Sequence, residues 1–112
     1  MSIYRLYSGA DGESHIEELK LADHAELSKS QGTVGITFRE APAANFSDWH
    51  PAPRRQWVII LSGQLEIGLG DGTLRRFGAG DARLVEDTTG HGHTTRVVGN
   101  QPCVTATVPV AG

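Results

Sequence analysis

Gln56-Trp57-Val58-Ile59-Ile60-Leu61-Ser62-Gly63 is followed directly by Gln64-Leu65-Glu66-Ile67-Gly68-Leu69 and then Gly70-Asp71-Gly72. The first run is apolar on both faces from Trp57 to Leu61, and a strand of that kind must be covered on both sides. The second alternates Leu65, Ile67 and Leu69 with Glu66 and Gly68, the period-2 pattern of a half-buried strand. Gly70-Asp71-Gly72 then closes a hairpin. Two adjacent strands, each ended by glycine, set the reading of the whole chain as β.

Working outward, Leu74–Phe77 returns along the hairpin, Gly78-Ala79-Gly80-Asp81 turns the chain, and Arg83–Glu86 follows. Thr94–Val98 and Val104–Val108 complete the C-terminal side, the latter alternating Val104, Ala106 and Val108 against Thr105 and Thr107. Upstream, Thr33–Arg39 is rich in β-branched and aromatic residues and stops at Ala41-Pro42. Residues 42–55 carry Pro42, Pro51 and Pro53 and are expected to form a loop of fixed geometry. Ile3–Tyr7 is expected as the first strand. Ser14–Ala25 reads two ways. Ser14 and Glu17 offer a capping box with Ile16, Leu19 and Ala22 at helical intervals, or His15, Glu17, Leu19 and Leu21 share one face of a strand. The β character of the rest favours the strand. Nine or ten short strands in one continuous domain (1–112) fit an all-β, closed antiparallel barrel. Its body is expected over 33–108, with N-terminal strands and an arm over 1–32.

The 112 residues fit one domain with a modest core. No apolar run is long enough to cross a bilayer, and Met1-Ser2-Ile3-Tyr4-Arg5 lacks the apolar segment of a secretory signal, so a cytoplasmic location without membrane attachment is expected. The net charge of −3 is interspersed, with no basic patch for nucleic acid. Cys103 is the single cysteine, which excludes an internal disulfide or a cysteine zinc cluster and leaves it as a small buried apolar residue. The second cover that Trp57–Leu61 requires is expected from another subunit, making a homodimer.

Of the five histidines, His50, His91 and His93 fall near strand ends, where a barrel can bring them together. Imidazole is the usual ligand of divalent transition metals and can also act as a general base. Trp49 offers a wall for a planar ligand. Arg54 and Arg55 suit either an anionic ligand or ion pairs with Glu86 or Asp87. Ser62 has no nucleophile elbow around it, so a hydrolase triad is unsupported, and no helix is expected after the glycine turns, which read as hairpin turns and not phosphate loops.

The segment from Trp49 to Gly63 resembles the first cupin motif, His-x-His, three or four residues, Glu, six residues, Gly. His50 stands at the first His, Gln56 at the Glu and Gly63 at the closing glycine, while Ala52 replaces the second His and Ala44 the glycine that precedes the motif. Arg76-Phe77-Gly78-Ala79-Gly80-Asp81 looks like the turn opening the second motif. Counting from Gly80 selects His91 there, and the Gly-x-x-His spacing from Gly90 selects His93. Glu86-Asp87-Thr88-Thr89-Gly90-His91-Gly92-His93 is similar to a segment of small bacterial cupins, which favours His93 and leaves His91 in reserve. The expected Asn is missing. The resemblance spans about 33–108 and implies a double-stranded β-helix (cupin, jelly-roll barrel).

It also implies a pocket for a small organic molecule. His50, Gln56 and His93 would hold a divalent transition metal (Fe, Mn, Ni or Zn), and Trp49, Arg55 and His91 would line the substrate pocket. Cupins of this size include oxygenases, isomerases, decarboxylases and lyases, with the metal as Lewis acid or oxygen-activating centre. The lost second His and the Glu-to-Gln change support the competing expectation, a non-catalytic, metal-free binding or sensing cupin. An interaction role rests only on the doubly apolar strand.

Overall fold

A computed structural model describes residues 1–111. Ten strands are present: β1 (Ile3–Ser8), β2 (Ser14–Glu18), β3 (Thr37–Ala41), β4 (Phe46–His50), β5 (Gln56–Ser62), β6 (Gln64–Gly68), β7 (Leu74–Gly78), β8 (Ala82–Glu86), β9 (His93–Val98) and β10 (Cys103–Pro109). They form a six-stranded sheet in the order β2-β1-β8-β5-β10-β3 and a four-stranded sheet in the order β4-β9-β6-β7. All pairings are antiparallel except β1 with β8, which is parallel and adds the N-terminal hairpin to one edge.

The hairpin read from the sequence is present as β6–β7: Leu65, Ile67 and Leu69 are all buried, and the turn closes with Leu69 N–H on the Thr73 carbonyl. These side chains meet Leu6, Ile60, Phe77, Val85 and Val97 between the sheets. Tyr4 packs edge-on against Phe77, ring centroids 4.8 Å apart. Asp81 fixes the next turn, accepting from the Gly78 and Ser2 amides.

Three features differ from the sequence expectations. Residues 42–55 are not all loop, because Phe46–His50 pairs with β9 as an edge strand between the prolines. The strand expected over Thr33–Arg39 begins at Thr37, and Thr33 makes only an isolated bridge to Val110. The ambiguous segment is strand to Glu18 and then two 3-10 turns, Leu21–Asp23 and Ala25–Ser28, so Ser14 opens a strand and caps no helix. Those turns supply cover from within the chain for the outer face of β5: Leu19 and Leu27 border the groove beside Trp57, whose indole N–H donates to Gln31 at 3.0 Å. Leu61 stays exposed.

The turn between β3 and β4 closes with Asn45 N–H on the Pro42 carbonyl at 3.1 Å, and its third residue, Ala44, has φ 64°. Such a turn position requires positive φ and favours glycine. An L-residue there costs about 1–2 kcal/mol. Ala44→Gly is therefore expected to raise unfolding stability by about 1 kcal/mol, read from denaturant midpoints at unchanged slope; an unchanged or lowered midpoint contradicts the strain.

On the outer side of β8, Glu86 accepts from the Nε of Arg5 and the Nε of Arg55, the latter at 2.8 Å. Burial pushes its carboxyl up, but the two guanidinium donors and their charges outweigh burial and hold it below the ordinary range. A depressed folded-state pKa contributes stability that is present above the unfolded value, about 4.3, and lost as pH falls through the lower folded value. Glu86→Gln is expected to lose about 1 kcal/mol at neutral pH and to show a shallower acid limb in unfolding curves. An acid limb identical to the parent's would show that this cluster contributes nothing.

Candidate functional site

β4 and β9 run antiparallel with His50 opposite His93 in the register. Directly opposed residues of an antiparallel pair share one face, and here that face is the barrel interior. The imidazole centroids lie 4.7 Å apart with the rings tilted by 56°. The approach depends on Gly92, which has φ 80° and whose added Cβ would strike the backbone carbonyl of His50. Gly90, at φ 78°, is held as closely against the Gly12 carbonyl. The two glycines of the Gly90-His91-Gly92-His93 run are thus where the backbone leaves no room for a side chain.

Each imidazole is oriented through Nδ1. His50 Nδ1 lies 2.6 Å from the Asp48 carbonyl oxygen, which can only accept, so this nitrogen donates. His93 Nδ1 lies 2.6 Å from Asp87 Oδ2. Asp87 is fully buried, and the same oxygen accepts from Ser14 Oγ at 2.6 Å. With Nδ1–H directed at the carboxylate, the neutral His93 ring carries its lone pair on Nε2. The Asp87 backbone carbonyl also accepts from the Ala52 amide at 2.9 Å, fastening the loop after His50 to the end of β8.

His50, Gln56 and His93 all border one cavity of about 330 Å³ between the sheets. The three residues expected as metal ligands are thus brought together, and Ala52 lines the same wall where the motif would carry its second histidine. The three residues expected around the substrate lie elsewhere. Trp49 is on the outer face of β4, stacked on His91 with centroids 4.0 Å apart, and His91 Nδ1 lies 2.9 Å from Glu13 Oε2 at the surface. The period of two explains the first, since Trp49 and His50 point to opposite faces; His91 lies in the turn before β9, where Gly92 at φ 80° breaks the strand alternation ahead of His93. Arg55 faces outward to Glu86, away from the histidines.

Arg83 is a cavity residue that sequence reasoning missed, and Asp87 and Ser14 behind His93 are two more components of the site. Arg83 is 6% exposed, and its Nε and Nη1 have no hydrogen-bond partner among the described residues; Asp87 Oδ1 is likewise unpaired there. Burial pulls the guanidinium down to about 10, opposed by Cys103 and Asp87, so it remains charged at neutral pH. Burial pushes the Cys103 thiol up, against the lowering influence of Arg83, which keeps it a protonated wall residue. The signal for Arg83 and Asp87 was their spacing: with Val85 they occupy alternate positions and share one face. Leu84 and Val85 are both buried, so the pattern alone could not say which face was inside.

As a donor set, the cavity meets only part of what a resident dication needs. Nδ1-anchored imidazoles are the usual form of histidine ligands. However, among the described residues no group of three or more His, Cys, Asp or Glu is placed to hold a metal. Gln56 brings no charge, and the charged residues of the cavity wall are two arginines, Arg39 and Arg83. The donors present therefore fit a resident dication poorly.

No protein-family profile matches the chain, and no curated protein matches it. Solved structures do. A polyketide cyclase from Streptomyces resistomycificus is 19% identical with a TM-score of 0.58, over 95% of this chain and 70% of that one. A double-stranded beta-helix protein from Klebsiella pneumoniae is 20% identical with a TM-score of 0.54, over 74% of this chain and 76% of that one. A cupin domain from Bordetella pertussis is 14% identical with a TM-score of 0.53, over 75% of this chain and 98% of that one. At these identities the likeness is one of fold, and the fold of this chain is that of the cupins, a double-stranded β-helix.

Proposed function

We propose that the chain is a small-molecule-binding cupin in which His93 is the working group: a metal-independent proton-transfer catalyst of isomerase or lyase type. The observation that carries this reading is the buried 2.6 Å contact from His93 Nδ1 to Asp87 Oδ2. A carboxylate behind an imidazole fixes its tautomer, leaves Nε2 as a proton acceptor and stabilises the imidazolium once the proton has arrived. Nε2 takes a proton from the bound molecule, Nδ1–H stays on Asp87, and the proton is returned from Nε2 at a second position. His50, opposite in the register, offers a second nitrogen for that exchange. The cavity volume of about 330 Å³ falls at the small end of ligand pockets, about 300–1,000 Å³, which suits a small metabolite.

A second reading is favoured by one specific observation, the Nδ1 anchoring of both histidines. In it His50, His93 and Gln56 would hold a divalent iron, manganese, nickel or zinc ion, which would supply Lewis-acid or oxygen chemistry. Charge weighs against it, since Arg39 and Arg83 share the cavity wall.

Elemental analysis of the untagged protein before and after incubation with those four metals separates the two. The expected outcome is substoichiometric metal throughout, with no change in melting temperature on metal addition. A stoichiometric metal that is lost in both His50→Ala and His93→Ala would replace the proton-transfer reading with the metal-dependent one.

A further inference from the structure

Arg83 is a buried charge in the cavity wall that the proton-transfer reading leaves unused. Its register partner on β5 is Val58, and its side chain joins the wall of the same cavity as His50 and His93. A buried guanidinium without partners is costly, because transfer from water removes hydrogen bonds that nothing restores. A ligand that enters the cavity is one way to complete such a group. Phe77 offers a ring face 5.6 Å from the guanidinium carbon, which steadies the cation without satisfying its N–H groups. Asp87 attracts it through space, yet Oδ2 is taken up by Ser14 and His93 and no hydrogen bond to Arg83 forms.

The sign of the cavity agrees. Arg39 on the edge strand β3 and Arg83 in the interior both line it, and no Asp or Glu does, since Asp87 sits behind His93. Thr95, Thr105, Thr107 and Ser47 add hydroxyls to the wall. A fork of N–H donors in a confined, positively charged space matches a planar carboxylate.

We infer that the cavity takes a small organic acid, whose carboxylate pairs with the Arg83 guanidinium while the rest of the molecule reaches the His50–His93 pair. Arg39, at the exposed side, draws the anion in. The inference rests on the small-molecule reading above and names the substrate class of that same site. It does not depend on whether a metal is present.

The test is a thermal-shift and ligand-observed NMR screen of two- to ten-carbon carboxylic acids beside their neutral amides, at matched ionic strength, on the parent and on Arg83→Met. Acids but not amides are expected to stabilise the parent. Arg83→Met is expected to weaken the best acid by roughly 10- to 100-fold, with an unliganded melting temperature no lower than the parent's, since it removes an unpaired buried charge. The inference is overturned if no acid gives a shift that Arg83→Met removes, if amides bind as well as acids, or if Arg83→Met lowers the unliganded melting temperature by several degrees, which would make Arg83 a structural cation. Acid binding that depends on Arg83 together with a metal that depends on His50 and His93 would sustain this inference and overturn only the metal-independent chemistry.

Discussion

The register of β4 against β9 is the constraint on which the site depends. It sets His50 directly opposite His93, and because side chains alternate with a period of two, a slip of one residue would send one imidazole to the outer face. Gly92 permits that register by letting the backbone run against the His50 carbonyl. A one-residue register shift between Ser47 and His50 lets both line the cavity, and the β3–β4 turn ahead of it holds Ala44 in a conformation that glycine adopts more easily. The local strain at Ala44 thus lies six residues before His50.

Around the imidazole pair, the N-terminal hairpin does more than extend a sheet. Its parallel pairing with β8 brings Ser14 beneath the site, where the hydroxyl shares Asp87 Oδ2 with His93. The carboxylate is fully buried, so its orientation depends on these two donors and on the close packing of the Gly90 turn over Gly12. On the outside of the same strand, Glu86 engages Arg5 and Arg55. Adjacent residues at the end of β8 therefore serve opposite faces: Glu86 binds the N-terminal strand and the β4–β5 loop from outside, and Asp87, just past the strand, supports the imidazole from inside.

Much of this was legible in the sequence. The alternation of Leu65, Ile67 and Leu69 and the glycine turns identified the β6–β7 hairpin, the doubly apolar run from Trp57 to Leu61 identified β5, and the cupin resemblance pointed to His50 and Gln56, which line the cavity. The choice of His93 over His91 followed from the resemblance of the Glu86–His93 segment to small bacterial cupins; in the structure His93 lines the cavity and His91 lies at the surface. What remained hidden was the direction of side chains wherever both faces of a strand are covered. On β8 Arg83, Leu84 and Val85 are all buried, so apolarity did not mark the interior. On β10 it is the polar set, Thr105 and Thr107 with Cys103, that lines the cavity, the reverse of a simple hydrophobic-inside rule and the mark of a pocket. Strand β4 was masked by the prolines on either side of it. The 3-10 segment beside Trp57 was masked by the short run of helical spacing that also permitted a strand.

The central claim is that Asp87 holds the neutral His93 ring with its proton on Nδ1 and its lone pair on Nε2, open to the cavity. Nitrogen-15 NMR of histidine-labelled protein in alkaline buffer, assigned with His93→Gln, tests it most directly because the two tautomers give distinct ring-nitrogen shifts and couplings. The account predicts the Nδ1–H tautomer for His93, reverting toward the Nε2–H form in Asp87→Ala. A parent His93 in the Nε2–H form, or one whose spectrum Asp87→Ala leaves unchanged, would contradict it.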